Sequence, residues 1–149
     1  MRGVDLSDLQ CSVARSLNVV GERWTLLVLR DAFQGKRRFE EFAGSMPVAR
    51  NVLARRLRTL VEHGILAREQ YENHPPRYEY HLTAKGLDLY PVVVALRQWG
   101  DRYLAGSNGP PLDVVHRGCG GHIEAQTVCT ECSSVVQARE ARGVHRVEN

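Results

Sequence analysis

The sequence predicts a mainly α-helical fold carrying one small β-hairpin. Three observations carry that expectation. Apolar residues recur at helical spacing through residues 12–63 and again through residues 84–104. A single pair of alternating segments, residues 66–71 and 77–82, falls between them. A short Cys- and His-bearing tail follows a Gly/Pro-rich break at Gly106-Ser107-Asn108-Gly109-Pro110-Pro111.

Taken in order, residues 12–20 read as a helix that ends before Gly21. Residues 23–33 read as a second, closed near Gly35. It is apolar on nearly every side through Trp24, Leu26, Leu27, Val28 and Leu29, so it should lie centrally in the core. Phe39 and Phe42, three apart, mark a short third helix over residues 39–44. Ser45-Met46-Pro47 makes a turn, because the residue before proline avoids the helical region. Residues 49–63 form a fourth helix, stopped by Gly64 where the chain turns left-handed. Along the second strand Tyr78, Tyr80 and Leu82 alternate onto one face, and residues 72–76 form the loop of the hairpin. Thr83 then caps a long helix over residues 84–104, in which Pro91 predicts a kink or a break. Twenty-one helical residues would span roughly 30 Å. Val92, Leu96, Trp99 and Tyr103 make an apolar stripe along it, and a protruding helix with such a stripe calls for a partner.

These elements divide the chain into a domain over residues 1–105, a linker over 106–111, a ribbon-like tail over 112–138 and a flexible end over 139–149. No internal repeat or low-complexity tract is evident. At 43% hydrophobic and 25% charged, the 149 residues suit a globular protein without a membrane span or signal peptide. A cytoplasmic location is expected, where thiols stay reduced and clustered cysteines favour metal or redox chemistry over disulfides.

The net charge of +3 is unevenly spread. Residues 112–149 hold four arginines against five acidic residues, which leaves +4 on residues 1–111. Between Arg50 and Arg58 there are four arginines and no acid. Such local density is what a polyanion responds to.

A compact helical unit followed by a β-hairpin is the winged helix-turn-helix plan, in which one helix enters the DNA major groove. Here that is the helix over residues 49–63. Leu53, Leu57, Leu60 and Val61 form its inward stripe, while Asn51, Arg55 and Arg58 fall opposite. Arg50 stands at the tip and Arg56 on a flank. The planar fork of arginine donates two parallel hydrogen bonds to guanine O6 and N7, and asparagine pairs similarly with adenine. Arginines that miss the bases can still neutralise phosphates. The hairpin loop resembles a wing, with Arg77 placed for a phosphate or minor-groove contact and His74 beside it. Double-stranded DNA is therefore the expected partner. No paired carboxylate, Ser/His/Asp or phosphate-loop arrangement points to an enzyme.

The stretches CSVARSLNVVGERWTLLVLRD, RFEEFAG, NVLARRLRTLVEHGIL and PPRYEYHLTAKG resemble successive signatures of the HxlR-type winged-helix transcriptional regulators, relatives of the MarR group. The resemblance runs from about Cys11 to Tyr103, roughly two thirds of the chain. It implies a bacterial homodimer, most simply a repressor, that binds a pseudo-palindromic operator and dimerises through its first and last helices. One departure is Ala49, where many members carry serine or threonine; a missing N-cap typically costs about 1 kcal/mol. In some members a cysteine at the position of Cys11 senses oxidants or electrophiles, which requires an accessible thiol of lowered pKa. Arg15 lies one turn beyond Cys11.

In the tail, Cys129-Thr130-Glu131-Cys132 is a C-x-x-C pair and His116-Arg117-Gly118-Cys119 an H-x-x-C pair. Two knuckles of two ligands each are how a zinc ribbon builds a tetrahedral site. The ligands would be His116, Cys119, Cys129 and Cys132, with His122 an alternative to His116 because C-x-x-H is also an allowed spacing. Four protein ligands leave no open position, so the zinc would be structural. Free thiols, a C-x-x-C redox switch and a ribbon used for protein interaction are the competing readings of the tail.

Overall fold

The computed structural model describes residues 4–146. Its elements are α1 (Ser12–Val20), α2 (Arg23–Phe33), α3 (Phe39–Ser45), α4 (Arg50–Glu62), β1 (Leu66–Asn73), β2 (Pro76–Leu82), α5 (Ala84–Leu87), α6 (Tyr90–Leu104) and a short 3-10 turn at Ala138–Glu140. Two compact units result, one up to Val93 and one from Val94 onward.

In the first unit α2 is central, as its apolar run predicts. Val28 and Leu29 are fully buried, and they pack with Phe42 from α3 and Leu53, Leu57 and Leu60 from α4. Local chemistry sets the helix starts. The Glu22 carboxylate accepts from the Trp24 N–H at 3.0 Å and caps α2. Glu41 Oε2 accepts from the backbone N–H groups of Arg37 and Arg38, at 2.9 and 2.8 Å, and caps α3. Ala49 caps α4 with no side-chain bond; Asn51 Oδ1 instead accepts from the Val52 N–H at 3.0 Å. At the other end Gly64 takes φ +67°, a conformation open to glycine without a Cβ penalty, and Ile65 N–H closes on Leu60 O at 2.9 Å.

Asp31 is a buried acid at the heart of this unit. Arg30 and Lys36 approach its Oδ1 at 2.8 and 3.2 Å, and the Ser45 hydroxyl donates to its Oδ2. One carboxylate thereby ties the end of α2 to the end of α3.

The hairpin is longer than its sequence pattern suggests. β1 and β2 pair antiparallel from Leu66↔Leu82 to Asn73↔Pro76, with a bulge between Gln70 and Glu72. Only His74 and Pro75 remain as the turn, in place of the five-residue loop expected over residues 72–76. The Arg77–Glu72 ion pair at 3.2 Å extends the ladder. Pro76 begins its strand, a place where its missing N–H is tolerated. The chain before α3 also adds to β2: Arg38 bridges Glu79, and the Tyr80 N–H donates to Arg37 O at 2.7 Å.

The helix expected over residues 84–104 is broken in two. The Thr83 hydroxyl accepts from the Gly86 N–H at 3.1 Å and caps α5, which ends at Leu87. α6 restarts at Tyr90 with Pro91 in its first turn, where the absent N–H is not needed. Its 15 residues span about 22 Å rather than 30 Å. Tyr90 stacks on Phe33 in the first unit, with ring centroids 5.0 Å apart.

The second unit begins within α6. The reason is a pair of polar ties. Arg97 Nη2 donates to Ile123 O at 3.0 Å, and the Ala125 N–H donates to Gln98 Oε1 at 2.9 Å. The later turns of α6 therefore belong with the tail.

Candidate nucleic-acid interface

α4 presents two opposed faces. Leu53, Leu57 and Leu60 point inward and are fully buried. Asn51, Arg55 and Arg58, spaced four and three apart, are exposed on the other side. Among the described residues neither Arg55 nor Arg58 enters an ion pair, so both guanidinium groups are available to an incoming anion.

The two remaining arginines of α4 are engaged. Arg50 forms an ion pair with Glu40 of α3 and lies 4.8 Å over the Phe39 ring. Hydrogen bonding to Arg50 lowers the Glu40 carboxyl below its ordinary 4.5, and the same bond raises the Arg50 guanidinium. Arg56 is half-buried and turns toward the start of α2, where its Nε meets Glu22 Oε2 at 3.4 Å. Arg56 thus sits on the flank of α4 and ties it to the start of α2.

On the wing, His74 is exposed at the turn. Arg77 is exposed one strand position in from it and is paired with Glu72. Sequence reasoning missed three contacts made by two further arginines. Arg68 of β1 lies 3.5 Å over the Tyr78 ring, Arg38 lies 4.3 Å over Tyr71, and Arg38 Nε contacts Glu79 at 3.1 Å. Strand alternation could have paired Arg68 with Tyr78. The Arg38 contacts depend on a bridge between distant segments and leave no local signal.

Cys11 is the exposed N-cap residue of α1. Arg15 turns from it to Gln10 Oε1 at 3.2 Å. In the tail, His116 Nδ1 lies 3.3 Å from Cys119 Sγ. Cys129 and Cys132 lie three residues apart in the second loop; the Cys132 thiol donates to Ser134 Oγ at 3.4 Å and is lowered from 9.0 to about 7, first by the Ser134 side chain and then by its backbone. The four expected ligands thus form two pairs. His122 faces Val115 across a backbone bridge.

Comparison with known proteins agrees with this geometry. Residues 19–108 match the HxlR-like helix-turn-helix family. An uncharacterised HTH-type transcriptional regulator of Mycobacterium tuberculosis is 48% identical over 128 residues, covering 86% of this chain and 81% of its own. Among solved structures, the candidate transcription factor PA1607 is 38% identical with a TM-score of 0.86, over 96% of this chain and 100% of that one. The redox regulator HypR in its oxidised form is 36% identical with a TM-score of 0.58, over 62% of this chain and 96% of that one. With its helical unit, outward arginines and wing, the chain belongs to the HxlR-like helix-turn-helix family and is a DNA-binding transcriptional regulator.

Proposed function

We propose that this regulator is a cytoplasmic repressor that binds a pseudo-palindromic operator as a homodimer. The observation that carries the proposal is the face of Asn51, Arg55 and Arg58, exposed above a fully buried leucine stripe. Asn51 reads adenine and the two arginines read guanine or hold phosphates. Arg50 joins them by exchanging Glu40 for a phosphate at the tip of α4, while Arg77 and His74 follow the backbone from the wing. A second copy of the chain is supported by apolar side chains left in solvent: Val13 and Leu17 on α1, and Leu96, Trp99 and Tyr103 on α6. Two such copies would read half-sites about 10 base pairs apart, centre to centre. Occupying those grooves excludes other proteins from the same DNA, which is the simplest form of repression.

The test is operator selection from randomised DNA, followed by anisotropy titrations across a salt series and transcription in vitro from a promoter bearing the selected site. The expected result is a two-fold symmetric site, an affinity falling linearly in log–log form with salt, and less transcript as protein is added. Salt-independent binding, an asymmetric site or rising transcript would each overturn the corresponding part.

A second reading is favoured by the exposed thiol of Cys11 at the start of α1, the helix that carries Val13 and Leu17. HypR, a solved relative, is named a redox regulator. In this reading an oxidant or electrophile modifies Cys11 and weakens operator binding. Peroxide or an aldehyde should then lower affinity in the wild type and leave Cys11→Ser unchanged; an equal response in both rejects it.

A further inference from the structure

The chain after α6 is ordered with almost no core. From Ala105 to residue 146 no side chain is buried, and only Val114, Ile123, Ala125, Cys129, Val136 and a few others are half-buried. Apolar burial on that scale does not hold a segment of some 40 residues in one conformation.

Two loops in it are nevertheless built on the same three backbone bonds. In the first, His116 N–H donates to Gly121 O, Gly120 N–H to His116 O and Ile123 N–H to Val114 O, at 2.8, 2.8 and 3.2 Å. In the second, Cys129 N–H donates to Ser134 O, Ser133 N–H to Cys129 O and Val136 N–H to Thr127 O, at 3.0, 2.9 and 2.9 Å. Val115 faces His122 in the first as Val128 faces Val135 in the second. Each partner in the second loop lies thirteen residues after its counterpart, as 129 does after 116 and 133 after 120. The backbone turns left-handed at the same place in both, at Gly120 (φ +73°) and Ser133 (φ +60°). The structure therefore holds a repeat that the amino-acid pattern conceals.

The equivalence matches side chains as well. His116 corresponds to Cys129 and Cys119 to Cys132, so each loop offers two metal-ligand side chains at the same two corners. His122 corresponds to Val135, which ligates nothing. We propose that the two loops are the paired knuckles of one structural zinc site, ligated by His116, Cys119, Cys129 and Cys132, with His122 outside it.

Donor spacing fits. In tetrahedral zinc with Zn–N of about 2.0–2.1 Å and Zn–S of about 2.3 Å, the N-to-S edge is about 3.6 Å. His116 Nδ1 and Cys119 Sγ stand 3.3 Å apart. The imidazole folds onto the loop beside Gly118, where a Cβ would lie only 2.9 Å from its Cε1. The pairs stand separately, since among the described residues no three His, Cys, Asp or Glu side chains surround one point. Binding must draw one knuckle onto the other. Three residues, 124–126, join the loops, so their bases lie at most about 14 Å apart along the chain. The connector is pinned to α6 through Ile123 O and Ala125 N–H. Three sulfurs and one nitrogen in a closed shell select zinc and leave it no catalytic position.

The test uses the full chain, purified anaerobically without chelator and reconstituted with zinc chloride. Elemental analysis should give about one zinc per chain, and a thiol reagent should count one reactive cysteine, Cys11, rising to four after chelation. Cobalt in place of zinc should show the intense visible bands of a tetrahedral sulfur-ligated ion. Cys119→Ser and Cys129→Ser should each hold less than about a tenth of the zinc, whereas His122→Ala should hold about one equivalent. DNA affinity serves as the folding control for each variant. Four reactive thiols in the presence of zinc would overturn the proposal, as would zinc retained by both cysteine variants. So would a Cys129–Cys132 disulfide, seen as two reactive thiols rising to four on reduction.

Discussion

Four arginines on one helix have three different fates in this structure, and that difference can be measured. Arg55 and Arg58 are exposed without an ion pair, Arg50 is held by Glu40, and Arg56 is turned to Glu22. Consider Arg55→Ala. One bidentate contact to guanine is worth about 1–3 kcal/mol of discrimination. A homodimer loses it at both half-sites, so the operator complex weakens by about 2–6 kcal/mol, at least about 30-fold. On scrambled DNA only a phosphate contact is at stake, and removing it from each subunit flattens the log–log salt slope by about 1.8. Arg56→Ala should behave otherwise. Its ion pair is part-exposed, 21% on the arginine side chain and 40% on Glu22, so its loss costs under about 1 kcal/mol of stability and leaves the ratio of specific to non-specific binding intact. The assay is anisotropy of a labelled operator and of a scrambled duplex at four salt concentrations, with thermal melts of each variant. An equal loss on both duplexes for Arg55→Ala would refute base reading by this residue. A specificity loss in Arg56→Ala as large as that of Arg55→Ala would refute the division itself.

The other expectations follow from burial, caps and exposed apolar faces. On the proposed homodimer, Trp99→Asp should shift the protein from dimer to monomer in sedimentation, because Trp99 is an exposed aromatic on the apolar face of α6. Leu57→Ala should cost about 2–5 kcal/mol in denaturant unfolding, since its side chain is fully buried beneath the DNA-reading face. Glu41 is held below its ordinary 4.5, first by the Arg37 N–H and then by the Arg38 N–H. Its contribution to stability is therefore present above that ordinary value and lost as pH falls through the depressed one; Glu41→Gln should remove this acid-dependent part of the unfolding profile. With the zinc site proposed above, Ser133→Gly should steady the second loop by about 1 kcal/mol, read as slower zinc release to a chelator, because Ser133 adopts φ +60° where glycine carries no Cβ penalty.

The helical unit was legible because each of its elements announces itself locally. Residues 12–20 and 23–33 carry their own periodicity and stops, and both helices fall where the pattern places them. α4 was legible by its two faces, down to the bare Ala49 cap. The hairpin was legible as a hairpin, but Glu72 and Asn73 read as loop because nothing in their sequence signals the cross-strand ion pair that keeps them in register. Pro91 announced an interruption, and α5 ends at Leu87, four residues before it, where Pro91 has no N–H to offer the Leu87 carbonyl and its ring would crowd it. Among the site residues, exposure at Asn51, Arg55 and Arg58 followed from helical spacing. The engagement of Arg50 and Arg56 did not, because Glu40 lies on α3 and Glu22 caps α2, and a wheel of α4 alone cannot show them.

The tail shows a different kind of concealment. Its spacing pointed to two knuckles, yet no repeat could be seen, because only one of four equivalent ligand corners differs in chemistry while almost every residue between them does. What repeats is the set of backbone bonds and one left-handed residue after each knuckle. A backbone that turns left-handed at a serine when the matching position is glycine is accepting a cost of about 1–2 kcal/mol. A loop without buried side chains has little else to offset that cost. A bond at the knuckle itself would offset it, and a metal shared by both loops supplies such bonds at four points. Zinc is thus favoured less by the cysteine count than by the second loop keeping the first loop's strained turn without the first loop's glycine.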